Sequence, residues 1–150
     1  MKEIYLDNSS TTRVLDEVAQ VVCDAMTVYF GNPSSLHRKG IEAEKIMKQA
    51  RESIAKVLEV SSEEIFFTSG GTESNNWAIK GAAYALRRRG NHLITTKVEH
   101  PSVLEVFAAL EKEGFAVTYL DVDREGTIDI NQLEGALRPD TILVSIMYVN

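Results

Sequence analysis

The chain has 150 residues, 44% of them hydrophobic and 25% charged, with a formal net charge of -6 and a pI near 5.1. That is the composition of a soluble globular protein long enough to bury a core, and the acidic balance argues against a broad nucleic-acid surface. No apolar run approaches the roughly 20 residues needed to span a bilayer, and the stretch at residues 1–7 is too short for a signal peptide.

A single cysteine, Cys23, excludes an internal disulfide framework and a multi-cysteine metal site, which fits a reducing cytoplasm. Within residues 14–29, Leu15, Val18, Ala19, Val22 and Met26 recur at the spacing of an amphipathic helix. Cys23 lies among them and reads as a buried structural thiol. Gly31-Asn32-Pro33-Ser34-Ser35 stops that helix and forms a loop. A second helix is predicted over 38–58, with a stripe of Ala43, Ile46, Met47, Ala50, Ile54 and Val57 and an outer face of Glu, Lys and Gln.

After Ser61-Ser62-Glu63-Glu64 the rhythm becomes strand, then helix, repeatedly. Strands are predicted at 65–69, 93–98, 117–122 and 141–149, and helices at 72–88 and 102–113. Ser102 and Glu105 have capping-box spacing, and Gly114 stands where a helix should end. Asp123-Arg124-Glu125-Gly126 is a turn, and Asp129 can cap a short helix running to residue 137. Arg87-Arg88-Arg89 ends a helix, where cations complement its dipole; a solvated terminus explains them better than a binding patch.

This alternation predicts an α/β fold with βαβ crossovers and a mainly parallel sheet flanked by helices. The last run, Ile142-Leu143-Val144-Ser145-Ile146-Met147, is apolar on both faces and predicts a central strand. Helix 72–88 is apolar most of the way round, which predicts burial on more than one side, with Gly81 admitting a close neighbour. A buried strand with no following helix is an unusual finish for a domain, so the chain is expected to be the front part of a longer polypeptide.

The richest segment is Phe67-Thr68-Ser69-Gly70-Gly71-Thr72-Glu73-Ser74-Asn75-Asn76. An apolar run, two glycines and a helix start leave backbone N–H groups facing whatever precedes the helix, where the dipole favours an anion. It reads as a phosphate cradle with Thr72 adding a hydroxyl. The Walker A and dinucleotide patterns are both absent. The plainer reading of the turn alone is a tight connection with an N-cap threonine.

Five segments in order then carry a resemblance. They are Tyr5-Leu6-Asp7-Asn8-Ser9-Ser10-Thr11-Thr12, Gly31-Asn32-Pro33-Ser34-Ser35-Leu36-His37, the cradle from Ile65 to Asn76, Val98-Glu99-His100, and Val144-Ser145-Ile146-Met147-Tyr148-Val149-Asn150. Together they closely resemble the NifS/IscS-type cysteine desulfurases, pyridoxal-phosphate (PLP) enzymes of the class V aminotransferase, fold-type I group, over essentially the whole chain. The resemblance implies an N-terminal arm at 1–14 and the first half of the large PLP-binding domain at 15–150. It implies that Gly71 and Thr72 hold the cofactor phosphate and that His100 stacks on the pyridine ring as a catalytic group. The plainer reading of His100 is a histidine satisfying a helix N-terminus. Asn32 and His37 resemble the segment near the substrate entrance, and turn chemistry explains them equally well.

The activity implied is removal of sulfur from L-cysteine, giving alanine and an enzyme persulfide for iron–sulfur cluster assembly or tRNA thiolation. The partners implied are a second copy in a homodimer and a sulfur-acceptor protein. A selenocysteine lyase, another class V transferase, or a non-catalytic half completed by a second chain are the alternatives. The family's Schiff-base lysine and catalytic cysteine fall in later loops, so these 150 residues alone are expected to be inactive. Neither Lys80, two turns beyond the cradle, nor Lys97, at a strand end, matches the family's lysine, and Asn150 carries no assigned role.

Overall fold

The structure is a computed structural model that describes residues 4–149. The start of the proposed arm and Asn150 therefore lie outside the described residues. The chain divides into two compact units, Met1–Phe66 and Phe67–Asn150.

The first unit holds helices α1 (Asp16–Thr27) and α2 (Arg38–Leu58) and a short 3-10 turn over Ser62–Glu64. The loop between the helices is tight because glycines permit it. A Cβ on Gly31 would meet the carbonyl of Lys39 at 2.1 Å, and one on Gly40 would meet that of Ser35 at the same distance. His37 caps α2 by accepting from the Gly40 amide, and Ser61 and Glu64 form a reciprocal capping box on the 3-10 turn. Helix α1 buries none of its residues, so Val18, Val22 and Met26 are exposed and Cys23 is exposed rather than the buried thiol its spacing predicts. The α2 stripe is only partly covered: Ala43 is buried and Ile46 half-buried, while Val57 is exposed.

The second unit is a parallel sheet flanked by helices, as the alternation predicts. Helix α3 (Gly71–Leu86) leads to β1 (His92–Thr96), α4 (Pro101–Lys112), β2 (Ala116–Leu120), α5 (Ile130–Ala136) and β3 (Thr141–Ser145). The strand order is β2-β1-β3, all parallel. Every residue of β1 is buried. Leu93 packs with Ile79 and Ala83 of α3, with Val103, Val106, Phe107 and Leu110 of α4, and with Phe115. Phe107, Leu93 and Leu110 are fully removed from water, each stabilising the fold by about 2 kcal/mol through burial.

Gly90 lets the chain enter β1 beside the end of α5's connection. An added Cβ would meet the Asp140 carbonyl at 2.1 Å, the same oxygen that accepts from the His92 amide. Asp129 caps α5 through the Asn131 amide, and the Asp123 carboxylate accepts from the amides of Glu125 and Thr127 to close a turn through Gly126, whose φ is 82°.

Four expectations are corrected. Residues 65–69 form no strand: a strand exists only as part of a ladder, and this segment joins none of the three. β3 lies at the edge of the sheet among the described strands, and β1 takes the centre. Helix α3 buries one face only, at Ile79 and Ala83, while Trp77 and Tyr84 are exposed. Nothing lies within 4 Å of a Cβ built on Gly81, so no neighbour approaches there.

Candidate functional site

Strand β1 enters α4 through Lys97-Val98-Glu99-His100, and the strand order reverses about β1, with β2 on one side and β3 on the other. Ligands of open α/β sheets gather beyond the carboxyl ends of strands at such a reversal. The carboxylate of Glu99, 6% exposed, fixes this corner. Its Oε1 accepts from the hydroxyl of Thr96 at 3.0 Å and from the amide of Met147 at 2.8 Å, tying the ends of β1 and β3 together.

His100 comes next, in the extended conformation that a following proline enforces, with Pro101 opening α4. Its Nδ1 accepts from the amide of Ser102 at 3.1 Å, so His100 itself is the N-cap. Ser102, expected as the cap, sits inside the first turn. Its hydroxyl lies 2.8 Å from the same Nδ1 and accepts from Asn75 Nδ2 of α3, also at 2.8 Å. A backbone amide can only donate, so Nδ1 is the acceptor and the neutral ring carries its hydrogen on Nε2. The ring is exposed.

Helix α3 begins at this same corner, because its far end feeds β1 and the Asn75–Ser102 bond joins its first turns to those of α4. Its N-cap, Gly70, has φ 155° and ψ -178°, a region essentially reserved for glycine. Gly70 offers no side chain to cap the first-turn amides of α3. Glu73, in that first turn, does not fill the role. Its Oε2 accepts from the Ser69 amide at 2.6 Å and the Ser69 hydroxyl at 2.7 Å. Those bonds, the amide first, hold the Glu73 carboxyl below the usual carboxylate range. The preceding turn is braced by Thr68, whose hydroxyl bonds the Gly70 carbonyl and lies 2.7 Å from that of Ser74.

Thr72 is the second residue of α3 and not its cap, so the tight connection is capped by no threonine. Thr72 and His100 line one cleft of about 360 Å³ with Asn76, Lys80, Ser102 and Glu105. Thr72 and the His100 imidazole, which the resemblance assigns to one cofactor, thus line the same cleft, with Gly71 adjoining Thr72 in the chain. Lys97 is committed elsewhere: its Nζ lies 2.6 Å from Asp121 Oδ1. Asn32 accepts from the Ser34 amide and His37 caps α2, which is the turn chemistry that was one of the two readings for them. Among the described residues no cluster could hold a metal ion, and no helix is long and apolar enough to cross a membrane.

Sequence reasoning missed Asn75, Ser102 as a link to His100, and Glu99. The first two are polar residues near helix starts and carry no signal until the helices are set side by side. A glutamate beside His-Pro gives no sign that it will be buried.

The second unit is therefore an α/β domain in which a helix N-terminus without a capping side chain, a hydroxyl and an imidazole meet beyond its strands. The chain belongs to the class-V aminotransferase family, whose pattern matches residues 4–150. A cysteine desulfurase IscS of Dictyoglomus turgidum is 54% identical over 149 residues, covering 99% of this chain and 38% of the relative. Among solved structures, a NifS-like protein superposes with a TM-score of 0.91 at 46% identity, over 95% of this chain and 39% of that one. SspA in complex with cysteine gives 0.87 at 42% identity, over 95% and 41%. The chain thus spans well under half the length of the relatives it matches.

Proposed function

We propose that the protein to which this chain contributes is a pyridoxal-phosphate-dependent cysteine desulfurase. It would take sulfur from L-cysteine, leave L-alanine and pass a persulfide to an acceptor protein serving iron–sulfur cluster assembly or tRNA thiolation. The observation that carries the reading is the meeting of Thr72 and His100 in one cleft at the start of α3. The likeness to an IscS desulfurase at 54% identity supports the chemistry assigned to it.

The residues fit the cofactor. Gly71 is helical, and a Cβ built on it would meet nothing within 4 Å. Neither backbone conformation nor packing demands glycine there, and the open space suits the approach of a phosphate. The first-turn amides of α3 and the Thr72 hydroxyl supply donors where the helix dipole favours negative charge. The capping bonds of His100 use only Nδ1, and the residue is exposed at the cleft, which suits stacking on the pyridine.

When bound, pyridoxal phosphate supplies an electron sink for a carbanion formed beside the substrate nitrogen. This chain's part is to anchor and to orient. Gly71 and Thr72 hold the phosphate, and His100 sets the ring plane and offers Nε2 for proton movement. A homodimer and a cytoplasmic setting complete the reading. The exposed Trp77 and Tyr84 on α3 suit a covered face in a dimer, and a lone cysteine suits a reducing compartment.

The test is Thr72→Ala in the full-length protein, followed by titration of pyridoxal phosphate against the cofactor's absorbance. Affinity should fall while the circular dichroism spectrum is unchanged. Unaltered affinity refutes the cradle.

A further inference from the structure

We infer that Asn75 and Ser102 are positioning residues that reinforce the placement of the His100 proton on Nε2, beside the Ser102 backbone amide that already donates to Nδ1. The inference deepens the role proposed above for His100 and rests on it for its functional meaning. The hydrogen-bond geometry stands apart from that reading.

Three groups make a directional chain. Asn75 Nδ2 can only donate, and it does so to Ser102 Oγ at 2.8 Å. With a lone pair of that oxygen engaged, the hydroxyl hydrogen is free to point at His100 Nδ1, 2.8 Å away. The Ser102 amide donates to the same Nδ1 at 3.1 Å. Two donors thus converge on one ring nitrogen, and the hydrogen of the neutral imidazole is placed on Nε2. The backbone bond alone is the longer of the two and comes from the first turn of a helix. The hydroxyl, anchored across to α3, is what locks the ring to both helices.

The two residues are not spent on another task. Asn75 and Ser102 are half-buried where α3 and α4 meet, and their bond is a direct side-chain link between the two helix starts. For an imidazole that must present Nε2–H beside a bound ring, a fixed tautomer removes the share of enzyme in which the proton sits on the wrong nitrogen. The chemical consequence is a fixed donor, Nε2–H, at the edge of the cleft.

The relay can be reversed almost without changing shape. In Asn75→Asp the carboxylate can only accept, so the Ser102 hydroxyl turns its hydrogen toward it and presents a lone pair to the ring. That lone pair opposes the backbone donor, and part of the population should then carry the proton on Nδ1. With the full-length protein labelled with nitrogen-15 at histidine, long-range proton–nitrogen correlation spectra read the tautomer directly, and no cofactor is needed. The wild-type protein should show the Nε2–H pattern at His100. Asn75→Asp should shift that pattern toward Nδ1–H, whereas Ser102→Ala, which keeps the backbone donor and adds no acceptor, should retain it. Ser102→Thr, which keeps the hydroxyl, should retain it as well. In the double variant Asn75→Asp with Ser102→Ala, the response to Asp should vanish. An Nε2–H pattern unmoved by Asn75→Asp overturns the inference. A normal response to these variants together with unaltered cofactor affinity in Thr72→Ala would keep the relay and sink the cradle instead.

Discussion

The two ends of the sheet in the second unit each present a histidine to neighbouring polar groups, and the contrast separates structure from chemistry. At the amino end, His92 is 1% exposed and both ring nitrogens are taken. Nδ1 lies 2.7 Å from the Thr141 hydroxyl and Nε2 lies 2.9 Å from that of Thr118, so one side chain bridges all three strands. At the carboxyl end, His100 is exposed, engages only Nδ1, and stands beside a helix N-terminus without a capping side chain. A histidine with every polar atom satisfied in the core is a fastener. One with a satisfied nitrogen, a spare nitrogen and an exposed ring is available for work.

The glycines repeat the lesson. Gly90 at the amino end is required by packing, since a Cβ would collide with the Asp140 carbonyl at 2.1 Å. Gly71 at the carboxyl end is required by nothing in the fold, because the space around it is open.

Several substitutions would break or sharpen this contrast. The largest effect is expected for His92→Ala, which takes a hydrogen-bond partner from the half-buried hydroxyls of Thr118 and Thr141 and opens a cavity. Stability to urea should fall by about 3 kcal/mol, while pyridoxal phosphate affinity in the full-length protein stays unchanged. A lower affinity at unchanged stability would reverse the roles assigned to the two ends. Gly90→Ala should follow, costing about 2 kcal/mol through overpacking against backbone that cannot yield. Its counterpart Gly71→Ala should change stability by less than about 1 kcal/mol, in the stabilising direction, since alanine is the better helix former. The same change should weaken the cofactor. Equal stability losses for the two glycines would erase the contrast.

The smallest effect is a dependence on pH. Burial, and next the nearby charge of Arg138, hold His92 below its ordinary value of 6.5, with Asp140 acting the other way. The unfolded chain therefore binds the extra proton first. The stability from this site is complete above about pH 6.5 and declines as pH falls below it, until the folded ring is protonated too. Denaturation midpoints measured across that range should fall on acidification in the wild-type protein and fall less in His92→Gln.

Much of this was legible in the residues. Helix α2 spans the predicted 38–58, and the Asp123 turn and the Asp129 cap stand where their chemistry put them. The resemblance gave Thr72 and His100 to one cofactor, and the two residues line one cleft. The remainder turned on partners, which periodicity does not name. Val18, Val22 and Met26 repeat at helical spacing, but spacing cannot say what covers them, and here they are exposed. The run at 142–147 reads as a central strand because it is apolar on both faces, yet centrality belongs to the ladder. Among the described strands that place is held by β1. Ser102 has the right residue three positions later for a capping box, but proline at 101 pushes the cap back to His100. The bond from Asn75 to Ser102 spans 27 residues and exists only once α3 and α4 lie together.

Glu99 has a mechanical consequence. Its carboxylate grips the Met147 amide, and its own peptide bond leads straight into His100. The segment leaving β3 and the imidazole are therefore geared through one side chain. A displacement of the polypeptide after Ser145 would therefore pass, through the Glu99 carboxylate, to the residue next to the one that carries the ring.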